Sequence, residues 1–294
     1  MKIKKKNSVT TKWWLRMSGL RRKMDSSEEG VATTVGTIMA LLIFLSILSL
    51  ITQQYVPVWM EDNEAYHMDE VKGQFADLKN GVDNMVIMER EDFPRYSSVN
   101  LGTAGVPLFA GSSPGRLTFS PRWGGDEDRG MSLEFVDDGD TIDFDATGNI
   151  SYHAINREFE DQSLIYEQGA IILAQRDGEI MRAKPHFSIT NVGDNDTYEV
   201  SMTMIHLRGS SSDLSGTSRV GITTELTNIF RNTFDDLETM NLTLTTAYPE
   251  VWENHFSEET DASPEVDGNT VKIELANVSE LELTKVDVNV EIDR

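Results

Sequence analysis

The chain has 294 residues, 26 Lys and Arg against 49 Asp and Glu, a net charge of −23 and no cysteine. The length allows one or two domains with a real core. The missing cysteine excludes a disulfide scaffold, a thiolate metal cluster and a cysteine nucleophile. The negative charge argues against nucleic acid as a partner, and a mean hydropathy of −0.35 excludes a polytopic membrane protein.

The charge is unevenly spread. Nine of the 26 bases fall in Met1–Met24 (Lys2, Lys4, Lys5, Lys6, Lys12, Arg16, Arg21, Arg22 and Lys23), with no acid among them. Three of the 49 acids (Asp25, Glu28 and Glu29) precede Val31, so the remaining chain carries 17 bases against 46 acids. A basic leader of residues 1–30 is therefore set apart from an acidic body.

Residues 31–60 contain no charge, and the 21 residues Val31–Ile51 are mostly apolar. About 20 residues at 1.5 Å rise cross the ~30 Å hydrocarbon layer, so a transmembrane helix is expected over 31–56. Tyr55 and Trp59 fall where interfacial aromatics stand, and the leader's bases predict a cytoplasmic N-terminus with the acidic bulk outside. Ala32, Gly36 and Ala40 recur at i, i+4 and i+8, a low-relief stripe suited to close helix packing.

The leader does not read as an ordinary secretory signal, because the apolar run is too long and no small-residue cleavage site closes it. Glu29-Gly30 instead stands just before the apolar run. Basic leader, charged residue, Gly and apolar helix together resemble a class III, prepilin-type signal. The resemblance implies cleavage between Gly30 and Val31 by a prepilin-type peptidase on the cytoplasmic side, the apolar helix staying on the mature protein. The bacterial pattern has Glu at the fifth mature position, where this chain has Val35; the archaeal versions do not require it.

Pro57 is expected to kink or end the membrane helix. Helical spacing then resumes: Met68, Val71, Phe75, Leu78, Val82 and Met85 form a narrow apolar seam in a segment 57–95. The seam either lies against the chain's own β-domain or pairs with the same seam of a neighbour. Its length under three heptads, together with Gly73 and Gly81, favours the domain.

From residue 96 to 294 short alternating runs broken by turns predict strands over Arg116–Ser120, Ser132–Val136, Thr141–Phe144, Ala170–Gln175, Glu179–Ala183, His186–Thr190, Tyr198–His206, Arg219–Thr224, Leu242–Thr246, Thr270–Leu275 and Leu281–Ile292. Arg176-Asp177-Gly178-Glu179 and Val266-Asp267-Gly268-Asn269 read as tight hairpins. Leu226, Ile229, Phe230, Phe234 and Leu237 are helically spaced, and Pro249–Phe256 opens with Pro at a helix's first turn. The expected fold class is mainly β, a β-sandwich behind a long N-terminal helix that includes one transmembrane segment.

Three pieces in order, YEQGAIILAQ at Tyr166–Gln175, the AYPEVWENHF helix and the closing pair DGNTVKIEL and LTKVDVNVEI, resemble a group of archaeal surface proteins with pilin-like N-termini, abundant in haloarchaea. The resemblance implies a membrane-anchored or pilus-assembled ectodomain and supplies no catalytic residue. Partners would be membrane lipid, the processing peptidase and like subunits of a filament.

Chemistry is sparse. Gly111-Ser112-Ser113-Pro114-Gly115 matches G-x-S-x-G, but a nucleophile elbow needs a strand before the Ser and a helix after it, and Pro114 with the strand beyond denies that. His67, His153, His186, His206 and His255 show no metal-ligand spacing, and phosphate-cradling glycine loops are missing. Asp126, Glu127 and Asp128, and Asp137, Asp138, Asp140, Asp143 and Asp145, are dense acidic runs, the second read as a strand with one solvated face rather than a calcium loop. Sequons at Asn149, Asn195, Asn241 and Asn277 are candidate glycosylation sites on an exterior domain. No catalytic residue, metal ligand or cofactor is assigned. The expected function is a pilin-like surface structural protein; the alternative is a permanently anchored ectodomain that binds a ligand or envelope partner without polymerising.

Overall fold

The computed structural model describes residues 10–91, 93–122, 130–137, 139–192, 197–261 and 263–293. Lys2, Lys4, Lys5, Lys6, Asp126, Glu127, Asp128, Asp138 and Asn195 lie outside them. The chain divides into two compact units, Met1–Pro57 and Val58–Arg294.

The first unit is helical: α1 (Thr10–Leu50), then a π-helical turn (Ile51–Tyr55) that passes into α2 (Val56–Met88). Of the kink or end expected at Pro57, the helix does not end there. Proline lacks an N–H, and its ring crowds the preceding turn. Here the turn before it is widened, Val56 N–H bonding Ile51 O; such a bulge lets a helix continue past an obstacle.

The second unit takes most of α2 and is otherwise mainly β. The larger sheet has the order β4 (Asp140–Ala146), β3 (Gly130–Asp137), β12 (Arg219–Thr245), β14 (Thr270–Asp293), β10 (Tyr198–Arg208) and β9 (Phe187–Asn191). β1 (Arg95–Asn100) pairs with β12, and β13 (Glu265–Asp267) pairs with β14. The smaller sheet runs β11 (Ser212–Gly216), β2 (Gly115–Ser120), β5 (Asn149–Ala154), β6 (Gln162–Glu167), β7 (Ala170–Gln175) and β8 (Gly178–Ala183). Pairing is antiparallel except between β10 and β14. α3 (Pro249–Glu259) begins with Pro at N1, as its sequence predicts.

The expected helix through Leu226–Leu237 is instead the middle of β12, paired with β14 from Gly221↔Asp293 to Thr245↔Thr270. Its helical spacing has a β cause. A bulge interrupts the ladder between Leu226 and Asn228, and Asp236 and Asn277 take left-handed φ of 54° and 57°. Those interruptions break the two-residue alternation. Buried residues then fall at steps of three, Phe234, Leu237 and Met240, opposite Leu281, Val278 and Leu275.

Both sheets share two cores. On β10, Val200, Met202 and Met204 enter one core, while Ile205 and Leu207 enter the other. On β14 the change comes between Leu283 and Val286. Successive strand residues point to opposite faces, so the larger sheet buries opposite faces at its two ends. The β6–β7 hairpin is buried on both faces: Leu164, Tyr166, Ile171 and Leu173 enter one core, Ile165 and Ile172 the other. Its turn, Gln168-Gly169, has φ of 47° and 77°, the geometry that matches strand twist.

Candidate membrane helix and the buried seam after it

The apolar helix presents its side chains outward on every side. Its best 18-residue window has a mean hydropathy of 2.5 and none of it is buried. Ile38, Leu42, Phe44 and Ile47 are all more than half exposed. A helix apolar on every side belongs in an apolar solvent, and by length and composition this one suffices to cross a membrane. Its hydroxyls turn inward on the backbone: Thr34 Oγ1 donates to Gly30 O at 2.8 Å, Ser46 Oγ to Leu42 O at 2.8 Å and Thr52 Oγ1 to Leu48 O at 3.0 Å. Gln53 Nε2 reaches Ser49 Oγ at 2.7 Å. Such back-bonding hides polar groups that hydrocarbon cannot solvate.

Gly30 and Val31, the expected processing pair, lie within α1 and are exposed. Ala32, Gly36 and Ala40 share an exposed stripe, and a Cβ placed on Gly36 would meet nothing within 4 Å. The stripe faces open space.

The seam behaves in the opposite way. Met68, Val71, Phe75, Leu78, Val82 and Met85 are all buried, in one core with Val99, Leu117, Tyr152, Ile222 and Val288. It packs on the chain's own sheets, so its pairing with a neighbour's seam is excluded. Polar groups fix its register. His67 Nε2 lies 3.0 Å from Asn100 O, Gln74 Oε1 accepts Asn100 N–H at 2.9 Å, and Tyr152 donates to Leu101 O at 2.8 Å. Burial lowers the His67 pKa.

The strongest tie was not visible as a motif. Glu64 is fully buried. Its Oε1 accepts the Ser113 hydroxyl and Arg157 N–H (2.9 Å), and its Oε2 accepts Glu158 N–H (3.0 Å) and Phe159 N–H (2.8 Å). Burial pushes its pKa up, but the Phe159, Ser113, Glu158 and Arg157 donors outweigh it, and the carboxyl is held below its ordinary value. The signal lies in the seam's phase: stepping back four residues from Met68 reaches Glu64, and four more reach Met60, also buried. An acid at a core position needs donors waiting for it. Ser113 of the G-x-S-x-G match is one of those donors, a buried loop residue rather than an exposed nucleophile.

Further along α2, Lys79 Nζ lies 2.9 Å from Asp83 Oδ2, with His186 Nε2 3.4 Å from the same oxygen. In the second core Glu167 accepts Thr246 Oγ1 at 2.6 Å and Trp252 Nε1 at 2.7 Å. Its burial raises the carboxyl's pKa against the lowering effect of those two donors. α3 is docked by that bond and by buried Val251, Trp252 and Phe256.

The remaining candidates scatter. Asn149 is buried, which withdraws its amide from a folded-state glycan; Asn241 and Asn277 are exposed. Asp143 and Asp145 lie on the exposed face of β4, as the alternation predicts. Among the described residues no three His, Asp or Glu side chains are placed to hold a metal. His153 Nδ1 stands 2.9 Å from Ser163 Oγ across the β5–β6 ladder, beside an open recess also lined by Arg157, Glu160, Asp161 and Asp177. A second recess collects His206, Arg208, Arg122 and Thr147, and in it Arg208 is paired with buried Asp287 at 3.1 Å.

Comparison with curated proteins and with solved structures gives no match. A family model described as a family of unknown function, DUF7289, matches residues 127–291. The match takes in the chain from β3 through most of β14, more than half of its length, and the protein belongs to that family.

Proposed function

We propose that the protein is a pilin-like surface protein of archaeal type, held in the membrane by its N-terminal apolar helix and displaying the acidic β-domain outside. The observation that carries this reading is the unburied, uncharged helix directly after a basic leader ending in Glu29-Gly30. In the proposed mechanism the bilayer solvates the helix before assembly. A peptidase then cuts between Gly30 and Val31, and the same apolar surface buries against like subunits along the Ala32, Gly36 and Ala40 stripe. Glycine mid-helix lowers the cost of opening the helix for cleavage. The excess of acids on the β-domain would keep a displayed surface soluble.

The second reading is a permanently anchored ectodomain that keeps its basic leader, binds a ligand or envelope partner and does not polymerise. The two differ at the N-terminus. Intact mass and N-terminal sequencing of the mature protein from native envelopes should find a chain starting at Val31. A chain that still carries Lys2–Lys23 would overturn the processed-pilin reading and leave the anchored ectodomain.

A further inference from the structure

One apolar feature of the β-domain is buried in neither core. Residues 103–113 form a finger pinched at its base by a bridge between Thr103 and Ser113, with Thr103 N–H on Ser113 O at 3.0 Å. Its two sides touch at Gly105, where a Cβ would fall 2.1 Å from Ala110 O, so only glycine fits. The tip is closed by Val106 O, which accepts Phe109 N–H at 3.0 Å and Ala110 N–H at 2.9 Å. Leu108 sits there at a left-handed φ of 70°, and its side chain is wholly exposed, with Phe109 41% exposed beside it. A leucine held out in a conformation that leucine disfavours is not covered by its own fold.

The base of the finger is placed by its ties to α2. Asn100 bonds Gln74 and lies against His67, while Thr103 Oγ1 donates to Asn63 O at 3.2 Å. The chain thus climbs α2 toward its N-terminal end, where Val58 and Trp59 are also exposed. Val58 is the residue by which the uncharged segment enters the domain.

We propose that the exposed Pro107–Phe109 tip, with Val58 and Trp59, enters the interfacial layer of the bilayer. The inference rests on the membrane reading of the apolar helix. A second copy of the chain fits less well. The tip offers a few side chains, far short of the ~800 Å² per partner of a stable interface, and exposed Glu61 and Asp62 on α2 would face their like. A lipid surface asks for less: the helix already holds the domain at the membrane, so insertion of the tip is an intramolecular step at high effective concentration, and Trp is at home in that layer.

The absence of native cysteine lets single-cysteine variants report depth. Full-length Leu108→Cys, Leu42→Cys and Asp177→Cys, each carrying a nitrobenzoxadiazole label, are placed in neutral phospholipid vesicles with a spin-labelled lipid. We expect strong quenching at position 42, little at 177, and at 108 quenching several-fold above 177 by a spin near the headgroup. Quenching at 42 with 108 no different from 177 would overturn the inference and leave the membrane reading standing. No quenching at 42 would remove both. Phe109→Asp in the Leu108→Cys background should cut the quenching at least twofold; unchanged quenching would mean that the label inserts alone, which also overturns the inference.

Discussion

Two stretches of helix in this chain place their apolar residues differently and have opposite fates. Between Val31 and Leu50 the apolar side chains point in every direction and none is buried. Between Met68 and Met85 they keep to one seam, and every member is buried. The difference is one of angular spread as well as of apolar content. A stripe can be covered by one sheet face, whereas a cylinder apolar all round needs a solvent or several neighbours. The seam is a part of the domain's core, and the upstream helix is a surface that awaits one.

Substitution of Phe75 tests this contrast most severely. Phe75→Ala should destabilise the domain by about 3–5 kcal/mol, read as a fall in the denaturant midpoint. Phe44→Ala should leave that midpoint within about 0.5 kcal/mol while weakening membrane partition. Equal losses from both would dissolve the distinction.

Glu64→Ala comes next. It strands three backbone N–H groups and a serine hydroxyl, and a loss of roughly 3 kcal/mol is expected. Because the folded carboxyl titrates below its ordinary value, ionised Glu64 contributes stability above about pH 4.5, and that contribution is lost as pH falls through the folded value. The wild type should therefore weaken more steeply in acid than the variant, by equilibrium unfolding across pH 3–7.

Glu167 has the opposite sign. Its folded pKa is raised by burial, so its contribution is present below the ordinary carboxyl value and declines as pH rises from there. Glu167→Gln keeps an acceptor for Thr246 and Trp252. It should change stability by no more than about 1 kcal/mol in mild acid and flatten the decline toward neutrality. A steeper decline in the variant would show that Glu167 is held ionised.

The smallest effect is expected at Gly36. Nothing lies within 4 Å of a Cβ there, so Gly36→Leu should not alter domain unfolding. If the stripe packs helices, the variant should lower self-association in detergent by crosslinking; unchanged crosslinking would detach assembly from that face.

Much of the site was legible because its signals are local. The uncharged run 31–60 and the seam from Met68 to Met85 each lie within one stretch of chain. Turn residues likewise marked their hairpins: β7 and β8 close around Arg176-Asp177, and β13 and β14 around Gly268-Asn269. Glu64 was not legible as an anchor, because its donors lie at positions 113 and 157–159 and an acid on a helix ordinarily reads as solvated. Asn149 read as a surface sequon for the same reason: its burial is made by neighbours distant in sequence.

What the sequence determined by itself was therefore the apolar span, the amphipathic helix after it, the mainly β body and its tightest turns, since chain connectivity alone brings those residues together. Tertiary structure decided the rest. It turned the helically spaced Leu226–Leu237 segment into a strand, because β14 offers that segment backbone partners along its length. It divided the interior into two cores on opposite faces of one sheet. It also gave Glu64 its donors. Each of these depends on a partner supplied by distant chain, and a spacing rule along one segment holds no information about which partner will arrive.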